Sequence, residues 1–242
     1  MATNNAINNI QVSIGNIQTL SGSGTYTPTA GMKFIIVEMC GGGGGSGGTS
    51  AAAGVICASA SGSPGGYLRF MMTAAQVGAS LAYGVGAAGA AGGTAANGGI
   101  GGATTFGNWT AAGGALSAVA NAIASIGGPL NGTNTVGTGT VLQNFRCSGN
   151  GANTFSVGGI FYGTAGPRAT GPMGGAFSNQ GAALMAASAG SGSAQLSGPG
   201  YFGGGFGCGG PGSIQYSQAS GSTVTNNGTA GTVGTIIVTE FI

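Results

Sequence analysis

Apolar residues concentrate at two distant places in this chain. Residues 32–39 (MKFIIVEM) and 235–242 (TIIVTEFI) are the strongest runs, and they share a pattern, Lys33-Phe34-Ile35-Ile36-Val37-Glu38 against Thr235-Ile236-Ile237-Val238-Thr239-Glu240. Both are rich in β-branched residues, which fit a pleated, packed surface. The spacing predicts two strands, and pairing them brings the two ends of a long module together and closes it. Residues 66–72 (GYLRFMM) and 79–85 (ASLAYGV) supply two further strands of an ordinary meander, with Phe70, Met71 and Met72 packing under the closing pair. Pro28-Thr29-Ala30-Gly31 has turn composition.

The first 24 residues read differently. Ile7, Ile10, Ile14 and Ile17 recur at spacings of 3, 4 and 3, as in a coiled-coil seam, while Ile10, Val12 and Ile14 alternate with Gln11 and Ser13 as in a strand. Gly15 and the β-branched residues weigh against helix. The segment is expected to be extended, with Ile7, Ile10, Val12, Ile14 and Ile17 as apolar teeth that dock on a partner or on copies of itself. Residues 21–24 (SGSG) have the composition of a hinge-like linker. The expected division is therefore an attachment segment, 1–24, and a module, 25–242. Residues 115–126 (ALSAVANAIASI) and 178–189 (SNQGAALMAASA) have helical composition, and are either short helices or elaborated turns.

Composition changes the picture of what lies between the strands. Glycine supplies 58 of 242 residues, far above the usual share of about 7%. Simple linkers are Gly/Ser tracts, but here the glycine runs are interrupted by single small or aromatic residues. Glycine runs can form extended helices of three residues per turn, related to polyproline II, that pack side by side. Ordering so much glycine costs maximal chain entropy, and only dense hydrogen bonding between helices offsets it. The expected fold class is mainly β and irregular, with few or no α-helices. A small antiparallel β base is closed by the two terminal strands and carries a Gly-rich lattice of polyglycine II-type helices.

Charge and chemistry are sparse. The chain has no His, four cations and two acidic residues, both Glu. That removes a Ser-His-Asp triad, a His-ligated metal and an Asp-rich calcium loop. Glu38 and Glu240 would make an acid/base pair only by meeting in space. Lys33, Arg69, Arg146 and Arg168 are scattered, whereas nucleic-acid binding needs clustered positive charge. We expect no enzyme, no cofactor, no metal and no nucleic-acid partner. Cys40, Cys57, Cys147 and Cys208 lack metal-site spacing. Cys40 and Cys208 abut glycine runs and can approach each other, or all four are small buried thiols. The N-terminus lacks a signal peptide's basic and apolar regions, and no run of 18 apolar residues exists for a membrane span. A soluble chain made in a cytoplasm is expected.

Several motifs together resemble the Gly-rich module of bacteriophage tail fibres. They are Thr25-Tyr26-Thr27-Pro28, the strand at 32–38 with the glycine run 41–45, residues 66–79, and the stretch 98–107 (GGIGGATTFG). The closing strand 231–240 belongs to the same pattern, and the opening MATNNAINN is similar to the starts of phage and prophage fibre proteins. The resemblance covers roughly 22–112 and 228–242, and residues 113–227 agree in composition only. It implies a virion adhesin, made in the host cytoplasm, that recognises an outer-surface protein or glycan through distal loops. It also implies docking of residues 1–24 on other tail or fibre proteins, and it allows a homotrimer because fibre shafts usually have three-fold symmetry.

Loops joining back-and-forth glycine helices cluster at the ends, where recognition is expected, within 113–227. Aromatics and Arg are the usual anchors. The receptor-binding candidates are Trp109, Phe145, Arg146, Phe161, Tyr162, Arg168 and Tyr201, with Phe202, Phe206 and Tyr216 behind them. Each aromatic is otherwise a core plug beside bare backbone. A structural or decorating virion protein without a receptor is the competing reading. Threonines at 133, 135, 138, 140, 223 and 225 also suit an ice-binding bundle, although such proteins are usually secreted.

Overall fold

The computed structural model describes residues 13–51, 55–120, 130–146, 149, 153–157, 160–164, 184–188, 205–216 and 224–242, with the backbone alone for 153–157, 160–164, 184–188, 214–216 and 224. The fold is mainly β with antiparallel sheets. Five strands form the largest sheet: β1 (Ile14–Leu20), β3 (Phe34–Cys40), β6 (Tyr67–Thr73), β10 (Thr140–Phe145) and β16 (Thr235–Phe241), in the order β1-β16-β3-β6-β10. A second sheet holds β2 (Ser23–Tyr26), β7 (Leu81–Gly84), β8 (Thr104–Phe106) and β9 (Trp109–Ala111). Shorter ladders pair β4 (Thr49–Ala51) with β15 (Val224–Asn226) and β5 (Ile56–Ala58) with β14 (Ile214–Tyr216). A three-stranded ladder joins β11 (Asn153–Val157), β12 (Ile160–Thr164) and β13 (Leu184–Ser188).

The closing pair is present: β3 and β16 run antiparallel from Thr235↔Cys40 to Phe241↔Phe34. Alternation then sorts side chains between faces. Ile35, Val37, Met39, Leu68, Phe70, Met72, Ile236 and Val238 point inward, where they meet Tyr26, Phe106 and Trp109 from the second sheet in one buried cluster. Met71 alternates to the opposite face, so only Phe70 and Met72 pack beneath the pair as expected. Phe70 and Trp109 stack with centroids 3.8 Å apart and planes 3° from parallel. The segment expected to stand apart contributes to both sheets, because β1 adds to the outer side of β16 and β2 pairs with β7. Residues 21–24 are therefore a turn at Gly22, whose φ of +65° suits glycine, leading into β2.

Helix is scarce. Among the described residues, α1 (Ala74–Val77) is the one helical segment. Residues 115–120 are extended rather than helical, and residues 184–188 form β13; the remainder of both helix candidates lies outside the described residues.

Above the sheets the glycine runs are joined by backbone hydrogen bonds at three-residue intervals. Residues 41–48 form the centre. Their N–H groups donate to three antiparallel segments: Gly41 and Gly44 to Gly66 and Ser63, Gly42, Gly45 and Gly48 to Gly102, Gly99 and Ala96, and Gly43 and Ser46 to Thr232 and Thr229. Their carbonyls accept from three others: those of Gly43 and Ser46 from Gly89 and Gly92, those of Gly42, Gly45 and Gly48 from Gly114, Ser117 and Ala120, and that of Gly44 from Gly210. The six surrounding segments also bond to one another and close a ring, in the order 86–92, 96–102, 112–120, 62–66, 207–210, 228–234 and back to 86–92. Apart from Ser46, whose hydroxyl is buried and hydrogen-bonded, the centre leaves no room for side chains. A Cβ on Gly43 would land on the Cys208 carbonyl, and one on Gly44 on that of Ala115, both well inside contact distance.

Cys40, Cys57 and Cys208 are buried; Cys147 lies outside the described residues. Burial pushes the Cys57 thiol up to about 11.

Candidate recognition surface

Polar chemistry is dispersed through the described residues. The two carboxylates lie on opposite faces of the large sheet. Glu38 is on its outer face, with Oε1 2.8 Å from Arg69 Nε, whereas Glu240 is fully buried on the inner face. Glu240 accepts from the Tyr26 hydroxyl (2.6 Å) and from the backbone N–H of Thr29 (3.3 Å), so it ties the turn after β2 to the last strand. Burial, then the Glu240 hydrogen bond, raises the Tyr26 hydroxyl far above its usual range. This geometry separates the two acids and gives them structural partners. No group of three or more Cys, Asp or Glu able to hold a metal occurs among the described residues, and no helix there is long and apolar enough to cross a membrane.

The structure distributes the candidate contact residues unevenly. Trp109 is a correction: it is 0% exposed, clamped against Phe70, and its ring belongs to the core between the sheets. Phe145 and Arg146 are at the surface, at the end of β10. Phe145 is 46% exposed and stacks on Tyr67 across the strand pair, with centroids 6.0 Å apart. Arg146 Nη2 donates to the Asn131 carbonyl (2.8 Å). Asn134 locks the backbone beneath them. Its Nδ2 donates to the carbonyls of Tyr67 and Phe145, both at 3.1 Å, and its Oδ1 accepts from the Ala112 N–H (2.9 Å). The aromatic and cation are thus presented by a rigid edge strand fastened to the glycine array, beside exposed Leu130, Val141 and Leu142.

Phe161 and Tyr162 are on the central strand of the β11-β12-β13 ladder, where the backbone alone is described. Arg168, Tyr201 and Phe202 lie outside the described residues. Of the attachment residues, Ile14 and Ile17 are 59% and 60% exposed on the edge strand β1; Ile7, Ile10 and Val12 lie outside the described residues.

One feature escaped the sequence. Leu20, Val85, Phe206 and Val233 line an apolar cavity of about 340 Å³ where the sheets meet the glycine array. Phe206 is 43% exposed at its rim, not the core plug its glycine neighbours suggested. Those four residues are far apart in sequence, and no periodicity links them. Against known proteins, the chain matches no protein-family model and no curated protein.

Proposed function

We propose that this chain is a phage tail-fibre or fibre-tip protein that binds a bacterial outer-surface protein or glycan, using surface loops carried on a polyglycine II-type scaffold. The observation that carries the reading is the bonding of 41–48 to six surrounding segments at three-residue intervals. That repeat and six-fold neighbourhood are what side-by-side glycine helices require. Such a scaffold presents loops without a thick apolar core, and it suits a protein that works outside a cell. The resemblance of residues 22–112 and 228–242 to fibre modules supports the same conclusion.

Phe145 and Arg146 are the described residues best placed for contact, because both are exposed on braced backbone. Residues 1–24 are the proposed attachment to other tail or fibre proteins, supported by the exposed Ile14 and Ile17. The chain would then reside in the virion, with no catalytic role, cofactor or nucleic-acid partner. With few charges at hand, contact would rest on shape, hydrogen bonds and aromatic stacking, and would be insensitive to salt.

Adsorption competition tests this reading. Purified chain is incubated with candidate host cells before the parent virion is added. Dose-dependent protection is expected, unchanged between low and high salt, and lost when residues 113–227 are exchanged for those of a related module. Folded chain that never protects a susceptible host would instead mark a structural virion component.

A further inference from the structure

An antiparallel sheet that packs on one side only normally alternates apolar and polar residues. The five-stranded sheet does not. Register places Ile17, Thr239, Ile36 and Met71 in one row across its outer face, and Phe241, Phe34 and Thr73 in the next. Phe34 and Phe241 stack there with centroids 4.5 Å apart. A third row runs Thr19, Ile237, Glu38, Arg69 and Gln143, and it holds one anion beside one cation. The inner face is already buried against the second sheet. Ile17, Phe34, Ile36, Met71, Ile237 and Phe241 thus make an apolar patch set among threonines, Gln143 and one ion pair; the row of Thr235, Cys40 and Tyr67 at one end of this face is buried, and in the other three rows Phe34, Ile36, Met71 and Ile237 are only half-buried.

We infer that this outer face packs against the same face of a second copy of the chain. Charge favours that occupant. Glu38 and Arg69 sit side by side, so a two-fold axis running along the strands between β3 and β6 sets each Glu38 over Arg69 of the other copy. The face is then its own electrostatic complement, as an isologous contact requires. A lipid surface or an unrelated apolar partner would supply no such counter-charges. Two such sheets would stack as an aligned sandwich with a shared core. Phe145 lies on the same face at its far edge, two residues beyond Gln143 on β10, and the inference does not depend on receptor binding.

Sedimentation of the full chain tests it, over concentrations of about 1 to 100 µM, a range that spans ordinary specific affinities. The expected species has twice the 22.5 kDa chain mass. Ile36→Lys should weaken association on the order of 30-fold or more, as loss of a central interface residue does, with unchanged far-ultraviolet circular dichroism. Glu38→Arg and Arg69→Glu should each be monomeric alone and form a heterodimer when mixed. Mixing restores charge pairs only between copies, so this arm decides the matter even if Ile36→Lys fails to fold. A wild-type chain that stays monomeric, a trimer, a dimer indifferent to Ile36→Lys, or charge variants that ignore each other would each overturn the inference.

Discussion

The sheet pair and the glycine array solve the same problem with opposite means. Between the sheets, Phe70, Trp109, Phe106 and their neighbours remove apolar area from water, and the backbone bonds only along regular strand ladders. In the array, Ser46 carries the one side chain of the central segment 41–48, and each described chain segment is held by backbone bonds to neighbours on several sides. The first region is sensitive to losing atoms and the second to gaining them. A chain poor in large apolar residues can therefore be well ordered, provided its backbone groups are satisfied.

The sharpest break of this contrast is one methyl group. Gly43→Ala places a Cβ on the Cys208 carbonyl, which is backbone and cannot swing aside. We expect a loss above about 4 kcal/mol, the range of severe core lesions, seen as absent cooperative unfolding in a thermal melt. A variant melting within a few degrees of wild type would refute the close packing. Next in size, Phe70→Ala or Trp109→Ala should cost about 3–5 kcal/mol in urea unfolding, as for other buried aromatics.

Alkaline pH gives an intermediate effect. The folded thiol of Cys57 is raised to about 11 and the hydroxyl of Tyr67 to about 12, both chiefly by burial. The unfolded groups ionise first, so the folded state holds more protons and stability falls as pH rises, through Cys57 from about 9 to 11 and through Tyr67 from about 10 to 12. The Cys57 share is about 2–3 kcal/mol at about 1.4 kcal/mol per unit. Cys57→Ala should flatten the lower part of that decline in urea titrations, and an unchanged slope would argue against a buried thiol. The smallest effect sharpens the comparison from the other side. Gly93 adjoins the array, yet its Cβ would meet nothing within 4 Å. Gly93→Ala should be neutral or stabilising by about 0.4–1 kcal/mol, because it stiffens the unfolded chain. A large penalty there would mean that glycine is needed for reasons other than space.

The sheets were legible because side chains encode them. The apolar, β-branched runs at 34–40 and 235–241 mark the strands, and their likeness points to pairing. In the glycine runs the three-residue repeat is legible, but the connections are not. Gly86, Gly89 and Gly92 repeat at three residues; their carbonyls accept from Gly234, Gly231 and Gly228 of the ring, while the N–H groups of Gly89 and Gly92 donate to Gly43 and Ser46 at the centre. Nothing in a glycine run specifies which other run it bonds, since only backbone takes part. That is why 41–48 could not be identified in advance as the centre. The strand β1 was read correctly as extended, but its partner β16 lies at the other end of the chain. Trp109 read both as a contact residue and as a core plug beside glycine, and β9 places its ring in the core against Phe70. Recognition residues are the least legible, since an aromatic beside glycine fills space or meets a ligand with the same local sequence.

Amide hydrogen exchange resolved by residue tests the central claim most directly, that the glycine backbone of 41–48 is ordered by bonds to its six neighbours. The N–H groups of Gly42, Gly43, Gly44 and Gly45 should exchange as slowly as those of Val37 and Met39 in β3, close to the global unfolding limit. Exchange of those four glycines at rates typical of flexible linker, with β3 still protected, would contradict it.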